Sequence, residues 1–482
     1  MAHPDVPHVR NLIDGAWRDG PRAGDTYAPA TGEVIGTFAD ADEGVARAAV
    51  AAARRAFDDP GTGWARDRTL RSRALLELAD RMDARRAELV ALLSREQGKK
   101  RADAELEVGD AIPKLRYNAA LALTDAGRAG EMAPGSYSMT LHQPLGVAGV
   151  IVPWNAPVVL AVRSFAPALA AGCTVAMKMP AQTALTNGLL YEIVAATASL
   201  PPGVLNAFTE SGNEGAPLLV SDPGTDVVSY TGSTAVGRAI MAEAARRVKP
   251  CVLELGGKSP MLVFDDADLD AAVPVLTAAV TTFGGQFCMA GSRVLAQAGI
   301  ADELRARLAA ALEAVRPGPG DHPGTGMGPV VDRAQAERID ALVADAGTYG
   351  KILVRGGLLH AEGADALLRP SLVEVEDLAA PLVQHEVFGP VATFEVFGDE
   401  DDAVRRANAT AYGLAASVWS RDVDRPLRVA RRIDAGTVWT NSWAVIRDQM
   451  EEGGFKQSGV GRLNGPRALA EFQQIKHLVH HA

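Results

Sequence analysis

The chain has 482 residues, 48% of them hydrophobic and 22% charged, with a formal net charge of -11. That length exceeds what one hydrophobic core supports and predicts two or three domains, while the apolar fraction fills those cores without a low-complexity or disordered block. The acidic balance excludes nucleic acid and anionic membrane surfaces as principal partners, since both attract basic patches.

In chain order, the N-terminal residues 1–7 show no basic segment followed by an apolar run, so no secretory leader is expected. Residues 42–82 have the Ala/Arg/Leu spacing of helices, interrupted at Pro60-Gly61, and more helix is predicted to about Leu123. Residues 131–143, with alternating character in 136–142, read as a hairpin arm. Five short apolar runs then read as buried strands: 147–152, 174–179, 204–208, 226–230 and 252–254. Helical segments around Pro167 and at 186–197, 214–220 and 236–248 separate them, which predicts a doubly wound, Rossmann-like α/β unit. A second alternating series from Pro260 to about Asn441 predicts another α/β unit, with Pro317-Gly318-Pro319-Gly320 as an internal loop, and residues 471–481 read as a terminal strand.

Apolar stretches such as 147–152 are too short to cross a bilayer, so no membrane is expected as a partner. The three cysteines, Cys173, Cys251 and Cys288, form no CxxC pair and no disulfide framework, which predicts a reducing, cytoplasmic setting. No His/Cys/carboxylate group has metal-ligand spacing, and no metal is expected.

The distinctive motifs fall at the ends of these elements. They are Pro153-Trp154-Asn155, then Tyr230-Thr231-Gly232-Ser233-Thr234 with Gly237, and Glu254-Leu255-Gly256-Gly257-Lys258-Ser259. Gly285-Gln286-Phe287-Cys288-Met289-Ala290, Glu386-Val387-Phe388-Gly389-Pro390 and Lys456-Gln457-Ser458-Gly459 with Gly461-Arg462 follow. Six motifs in this order resemble the aldehyde dehydrogenase superfamily, and the resemblance runs from about Asn11 to the C-terminus. It implies a coenzyme-binding domain over residues 1–122 and 145–256, a catalytic domain over 257–455, and a small β oligomerisation arm with its tail over 123–144 and 456–482. A homodimer or homotetramer follows from that arm.

The residue types suit the activity the resemblance implies, oxidation of an aldehyde to an acid through a thioester. Cys288, in a glycine-lined turn, supplies the nucleophile, its thiolate expected to be favoured by backbone donors and a positive nicotinamide. The Asn155 amide and the Cys288 N–H meet the oxyanion, one such donor being worth about 3 kcal/mol. Glu254, ending a strand before two glycines, activates the hydrolytic water. That glutamate also separates the chain from the coenzyme A-acylating branch, one of the alternatives; a non-catalytic structural or nucleotide-binding protein is another.

There is no Gly-x-Gly-x-x-Gly after the first strand, and Gly257-Lys258-Ser259 lacks the earlier glycine of a P-loop. NAD or NADP is instead expected on the Thr231-Gly232-Ser233 turn, whose N–H groups open a helix toward a pyrophosphate. By resemblance, Lys178 reaches the adenine ribose, Glu386 holds the nicotinamide ribose and Phe388 packs beside the ring. Ile151, Pro153, Trp154, Ala181, Val236, Leu255 and Gly256 complete the coenzyme set. Ala181 stands where NAD-preferring relatives commonly carry Glu, and alanine neither bonds ribose hydroxyls nor repels a 2'-phosphate. NAD is favoured, with NADP open.

Other departures concern the aldehyde. Ala156 replaces a frequent aromatic, Phe283 a usual Asn, and Glu451-Glu452 a common Pro-Phe. Arg163 stands where many relatives place Trp, and it reads either as a clamp for a distal carboxylate, as in semialdehyde dehydrogenases, or as structural. No companion Arg precedes Cys288, where Thr281 and Thr282 stand. With Phe287 and Trp443 as apolar lining, an aromatic or medium-length apolar aldehyde is the expected substrate.

Overall fold

The computed structural model describes residues 6–360 and 363–481. The leaderless reading of the N-terminus falls in part on residues 1–5, which lie outside the described residues.

Short apolar runs flanked by helices cannot leave either face in water, so they are buried as a parallel sheet. Five such strands, Val147–Ile151, Thr174–Pro180, Leu205–Glu210, Val227–Thr231 and Cys251–Glu254, form the centre of an eight-stranded sheet. The chain enters at Val147–Ile151, steps outward through Thr174–Pro180 and Leu205–Glu210, then crosses back to Val227–Thr231 and on to Cys251–Glu254. Where the direction of winding reverses, between Val147–Ile151 and Val227–Thr231, the loops at the strand C-termini diverge and leave a crevice.

Both edges of this sheet are antiparallel additions. Asn11–Ile13 pairs with Leu205–Glu210 and is followed by Ala16–Arg18. At the other edge Gly459–Val460 pairs with the end of Cys251–Glu254, Gly459 opposite Glu254. Three further strands, His8–Val9, Arg22–Ala28 and Glu33–Asp40, make a separate sheet, and none of the strands before residue 42 was expected from the sequence.

The helices follow the predicted spacing. Glu43–Asp58 is capped by Asp42, whose Oδ1 accepts from the Val45 N–H at 2.9 Å. Pro60 opens a 3-10 turn, Pro60–Thr62, and Arg68–Ala84, Arg86–Glu96 and Arg101–Thr124 complete the layer. Arg101–Thr124 packs on Pro157–Ala171, and its Glu107 Oε1 accepts from the Val158 N–H at 2.8 Å. That contact matters because the cap residue Ala156 has no side-chain acceptor, so a carboxylate from the neighbouring helix satisfies the exposed N–H end.

The second unit is a seven-stranded sheet in the order Lys351–Val354, Ser371–Glu374, Val391–Phe397, Arg293–Gln297, Pro260–Val263, Ala415–Trp419, Thr437–Thr440. All of its pairings are parallel except at the Lys351–Val354 edge. Between its strands lies an ion pair with both side chains fully buried: Arg293 Nε and Nη2 donate to Glu395 Oε1 and Oε2 at 2.8 and 2.7 Å. The hairpin Ala129–Ala133 and Ser136–Pro144 projects outside both units, and Gln473–His481 pairs along Ser136–Pro144. Of the C-terminal residues expected to accompany the arm, Gln473–His481 does so, whereas Gly459–Val460 belongs to the first sheet.

Glu395→Ala removes both acceptors of a buried guanidinium and should cost about 3 to 5 kcal/mol of stability. Denaturant unfolding followed by circular dichroism measures it. A loss under about 1 kcal/mol would put the pair in the class of surface bridges.

Candidate active site

The crevice is walled by four backbone segments, and close approach dictates their sequence. After Val147–Ile151 the chain turns through Pro153-Trp154-Asn155 into the helix Pro157–Ala171. After Val227–Thr231 it turns through Gly232-Ser233, and Ser233 caps the helix Thr234–Ala245. After Cys251–Glu254 it passes Gly256-Gly257: a Cβ on Gly256 would lie 2.4 Å from Glu386 Oε2, and one on Gly257 2.4 Å from the Cys288 carbonyl oxygen. At Gly257 the obstacle is backbone and no side chain fits, whereas at Gly256 the Glu386 side chain would have to move.

The fourth segment carries the thiol. The helix Leu269–Thr281 ends in a tight turn in which Phe283, Gly284 and Gly285 take φ of 54°, 64° and 72°. At Gly285 a Cβ would meet the Gly389 carbonyl carbon at 2.2 Å. Phe283 holds a left-handed conformation that suits Asn better than an aromatic residue. Its N–H donates to Asp103 at 3.1 Å, the Lys99 ammonium lies 4.1 Å from its ring centroid, and it meets Phe287 edge-on.

Asn155 is buried, and its Nδ2 donates to the Gln286 carbonyl at 3.0 Å, which fixes the amide beside the turn that carries Cys288. Glu254 is buried on the far side, and its Oε1 has no hydrogen-bond partner. Glu386 Oε1 accepts from the Gly257 N–H at 3.1 Å, and Phe388 stands edge-on to Trp154 with centroids 5.5 Å apart.

Burial dominates the electrostatics. It pushes the Glu254 carboxyl up to about 8, with the Arg163 guanidinium pulling the other way, and the Glu386 carboxyl up to about 7. Lys258 is pushed down to about 7 by burial and the neighbouring Arg293. The Cys288 thiol goes up to about 12, with burial the largest cause. Desolvation of the thiolate outweighs Arg163, the largest influence lowering it.

Cys288, Asn155 and Leu160 stand in the walls of two cavities at once. One, of about 370 Å³, is lined by Pro153, Trp154, Thr231, Gly232, Ser233, Glu254, Leu255, Gly256, Glu386 and Phe388. The other, of about 90 Å³, is lined by Ala156, Val159, Phe283, Phe287, Trp443 and Ile446, with Asp110, Arg163 and Glu452 among its polar walls. A third, of about 250 Å³, contains Ile151 and Val236 together with Val220 and Tyr230. Lys178 lies near the C-terminal end of its strand, its pKa lowered by burial against the pull of Glu210 and Asp40, and Ala181 follows in a 3-10 turn. Among the described residues no group of His, Cys, Asp and Glu could hold a metal ion.

Arg163 does reach the smaller cavity, but its Nη1 donates to Glu452 Oε1 at 2.6 Å and its Nη2 to Thr231 Oγ1 at 3.1 Å. Glu452 as its partner, and the Lys114–Asp448 pair (2.6 Å) nearby, were not foreseen. The joint departure of Arg163 and Glu452 from apolar family positions was the available signal.

A half-buried thiol thus stands where the crevice meets the smaller apolar cavity. The chain belongs to the aldehyde dehydrogenase family, whose profile matches residues 17–478. It is 38% identical to an aldehyde dehydrogenase of Emericella nidulans, over 93% of this chain and 90% of that protein. It is 36% identical to a chloroplastic aminoaldehyde dehydrogenase of Arabidopsis thaliana, over 99% and 96%. A crystal structure of betaine aldehyde dehydrogenase from Staphylococcus aureus in complex with NAD+ superposes with a TM-score of 0.95 at 33% identity, covering 98% of this chain and 95% of that one. Among the described residues no helix is long and apolar enough to cross a membrane.

Proposed function

We propose that the protein oxidises an aromatic or medium-length apolar aldehyde to the carboxylic acid, reducing NAD, with NADP as the alternative coenzyme. The observation that carries this reading is the position of Cys288, in the wall of both the 370 Å³ crevice and the 90 Å³ apolar tunnel. Bound in the crevice, NAD or NADP would supply the hydride acceptor. Gly232, Ser233 and the helix behind them would hold its pyrophosphate, Glu386 its ribose and Phe388 its ring, while Ile151 and Val236 would line the adenine end. Lys178 would bond the adenine ribose, and Ala181 would leave room for a 2'-phosphate.

Cys288 attacks the aldehyde carbonyl, and the Asn155 amide and the Cys288 N–H receive the oxyanion. Glu254 takes a proton from the water that hydrolyses the thioester, a task suited to a carboxyl raised toward neutrality. Phe287 and Trp443 supply apolar walls for the substrate tail. Arg163 is already ion-paired with Glu452, which weighs against a distal carboxylate, although its buried Nε has no partner. An aldehyde with a distal amino group is the second reading, favoured by the half-buried Asp110 in the tunnel wall and by the aminoaldehyde relative. Exposed Ile475, Val479 and Tyr137 on the arm sheet support association into a dimer or tetramer.

A panel of aromatic, aliphatic, amino and carboxylated aldehydes assayed with NAD and NADP tests the substrate reading, which falls if carboxylated aldehydes are preferred. Free acid released without coenzyme A excludes the acylating alternative. Cys288→Ala should lose at least about 10⁴-fold in turnover while still binding coenzyme by fluorescence titration. Glu254→Gln should give a burst of reduced coenzyme and then stall, and normal steady-state turnover would assign the base elsewhere.

The pH dependence follows from Glu254. Below about 8 its carboxyl is protonated and accepts nothing, so deacylation-limited turnover should rise as pH increases through about 8. A pH–rate profile measures this limb, and it should disappear in Glu254→Gln.

A further inference from the structure

Arg163 and Glu452 are left without a role by the reaction proposed above. Both are buried, at 3% and 6% exposure. Arg163 comes from the second turn of the helix Pro157–Ala171. Glu452 is fixed from behind: its backbone exchanges hydrogen bonds with Leu463 at 2.6 and 2.8 Å, and its Oε2 accepts from Asn464 Nδ2 at 2.9 Å. Thr231, which receives the second Arg163 hydrogen bond, is the paired neighbour of Glu254 across the sheet. On its other side Arg163 lines the same tunnel as Cys288.

We infer that Glu452 is a positioning residue: it holds the Arg163 guanidinium against Thr231, so that one fixed positive charge stands beside both the base Glu254 and the thiol Cys288. The inference rests on the reading of those two residues given above. The guanidinium favours the carboxylate and the thiolate, and Glu452 is the largest opposing charge at both. The other charges facing the group are Arg462 and Glu471 toward Glu254, Glu386 toward Cys288, and Asp110 beyond Glu452. If the pair only supports the fold, removing either charge leaves the reactivity of the thiol where it was; if it sets the field at Cys288, removing the positive and the negative member moves that reactivity in opposite directions.

The test uses the coenzyme-free protein and alkylation of Cys288 by iodoacetamide, followed by peptide mass. Glu452→Gln keeps an acceptor for Arg163 and removes the negative charge; alkylation at a fixed pH below the thiol midpoint should speed up about tenfold, one pH unit of thiolate. Arg163→Met should slow it about tenfold and move the rising limb of the pH–rate profile to higher pH. Should the unpaired Glu452 unfold that variant, the double replacement Arg163→Met with Glu452→Met removes both charges, a change that buried pairs commonly tolerate, and it too should alkylate more slowly than the parent. Melting temperatures identify the folded proteins. Alkylation rates that coincide with the parent's in the folded variants, or that move in one direction in both single variants, overturn the role of the pair and leave the nucleophile standing. Turnover surviving in Cys288→Ala would instead remove the nucleophile itself.

Discussion

The site depends on how closely the backbone after Glu254 approaches the loop that carries Cys288. Gly257 lies against the Cys288 carbonyl at a separation that leaves no room for a methyl group, and Gly256 lies against the Glu386 carboxylate. This contact joins the two α/β units at the point where each presents its chemistry, the carboxylate at the end of one sheet and the thiol in a turn of the other. Glu254 is buried there, which raises its carboxyl pKa, while Cys288 stays half-buried. Charge development between them is then governed by fixed donors and the Arg163 guanidinium rather than by solvent.

Precision at that contact is supported from both sides. The strand that bears Glu254 is completed by Gly459–Val460, and Ser458 Oγ donates to the Gly256 carbonyl at 2.7 Å. The Asn155 turn is held by Glu107 at the start of the next helix and by the Gln97 amide on the Trp154 carbonyl. Helix Arg101–Thr124 thus supports the site through Glu107 and lends Asp110 to the tunnel wall.

Much of this was legible in the sequence, for a physical reason. Strands buried on both faces read as uninterrupted apolar runs, so the central five, such as Val227–Thr231, were found within a residue or two, and helices beginning after Asp42 or Ser233 carry their caps in plain view. The motifs at strand ends placed Asn155, Glu254 and Cys288 at one crevice. Of the strands before residue 42, Arg22–Ala28 was invisible because it mixes exposed polar residues with few apolar ones, and His8–Val9, Asn11–Ile13 and Ala16–Arg18 are too short to show a period. The Arg163–Glu452 pair was hidden for another reason: its members lie 289 positions apart, and only the fold brings them together.

The return of Gly459–Val460 to the first sheet has a consequence for the newborn chain. While the ribosome is still making the second unit, the Cys251–Glu254 strand is a bare sheet edge, its unpaired N–H and C=O groups open to any extended segment nearby. The first unit therefore cannot close when its own sequence has emerged, and waits some two hundred residues for its last strand. Catalytic geometry and protection from misassociation arrive together, with the final stretch of translation.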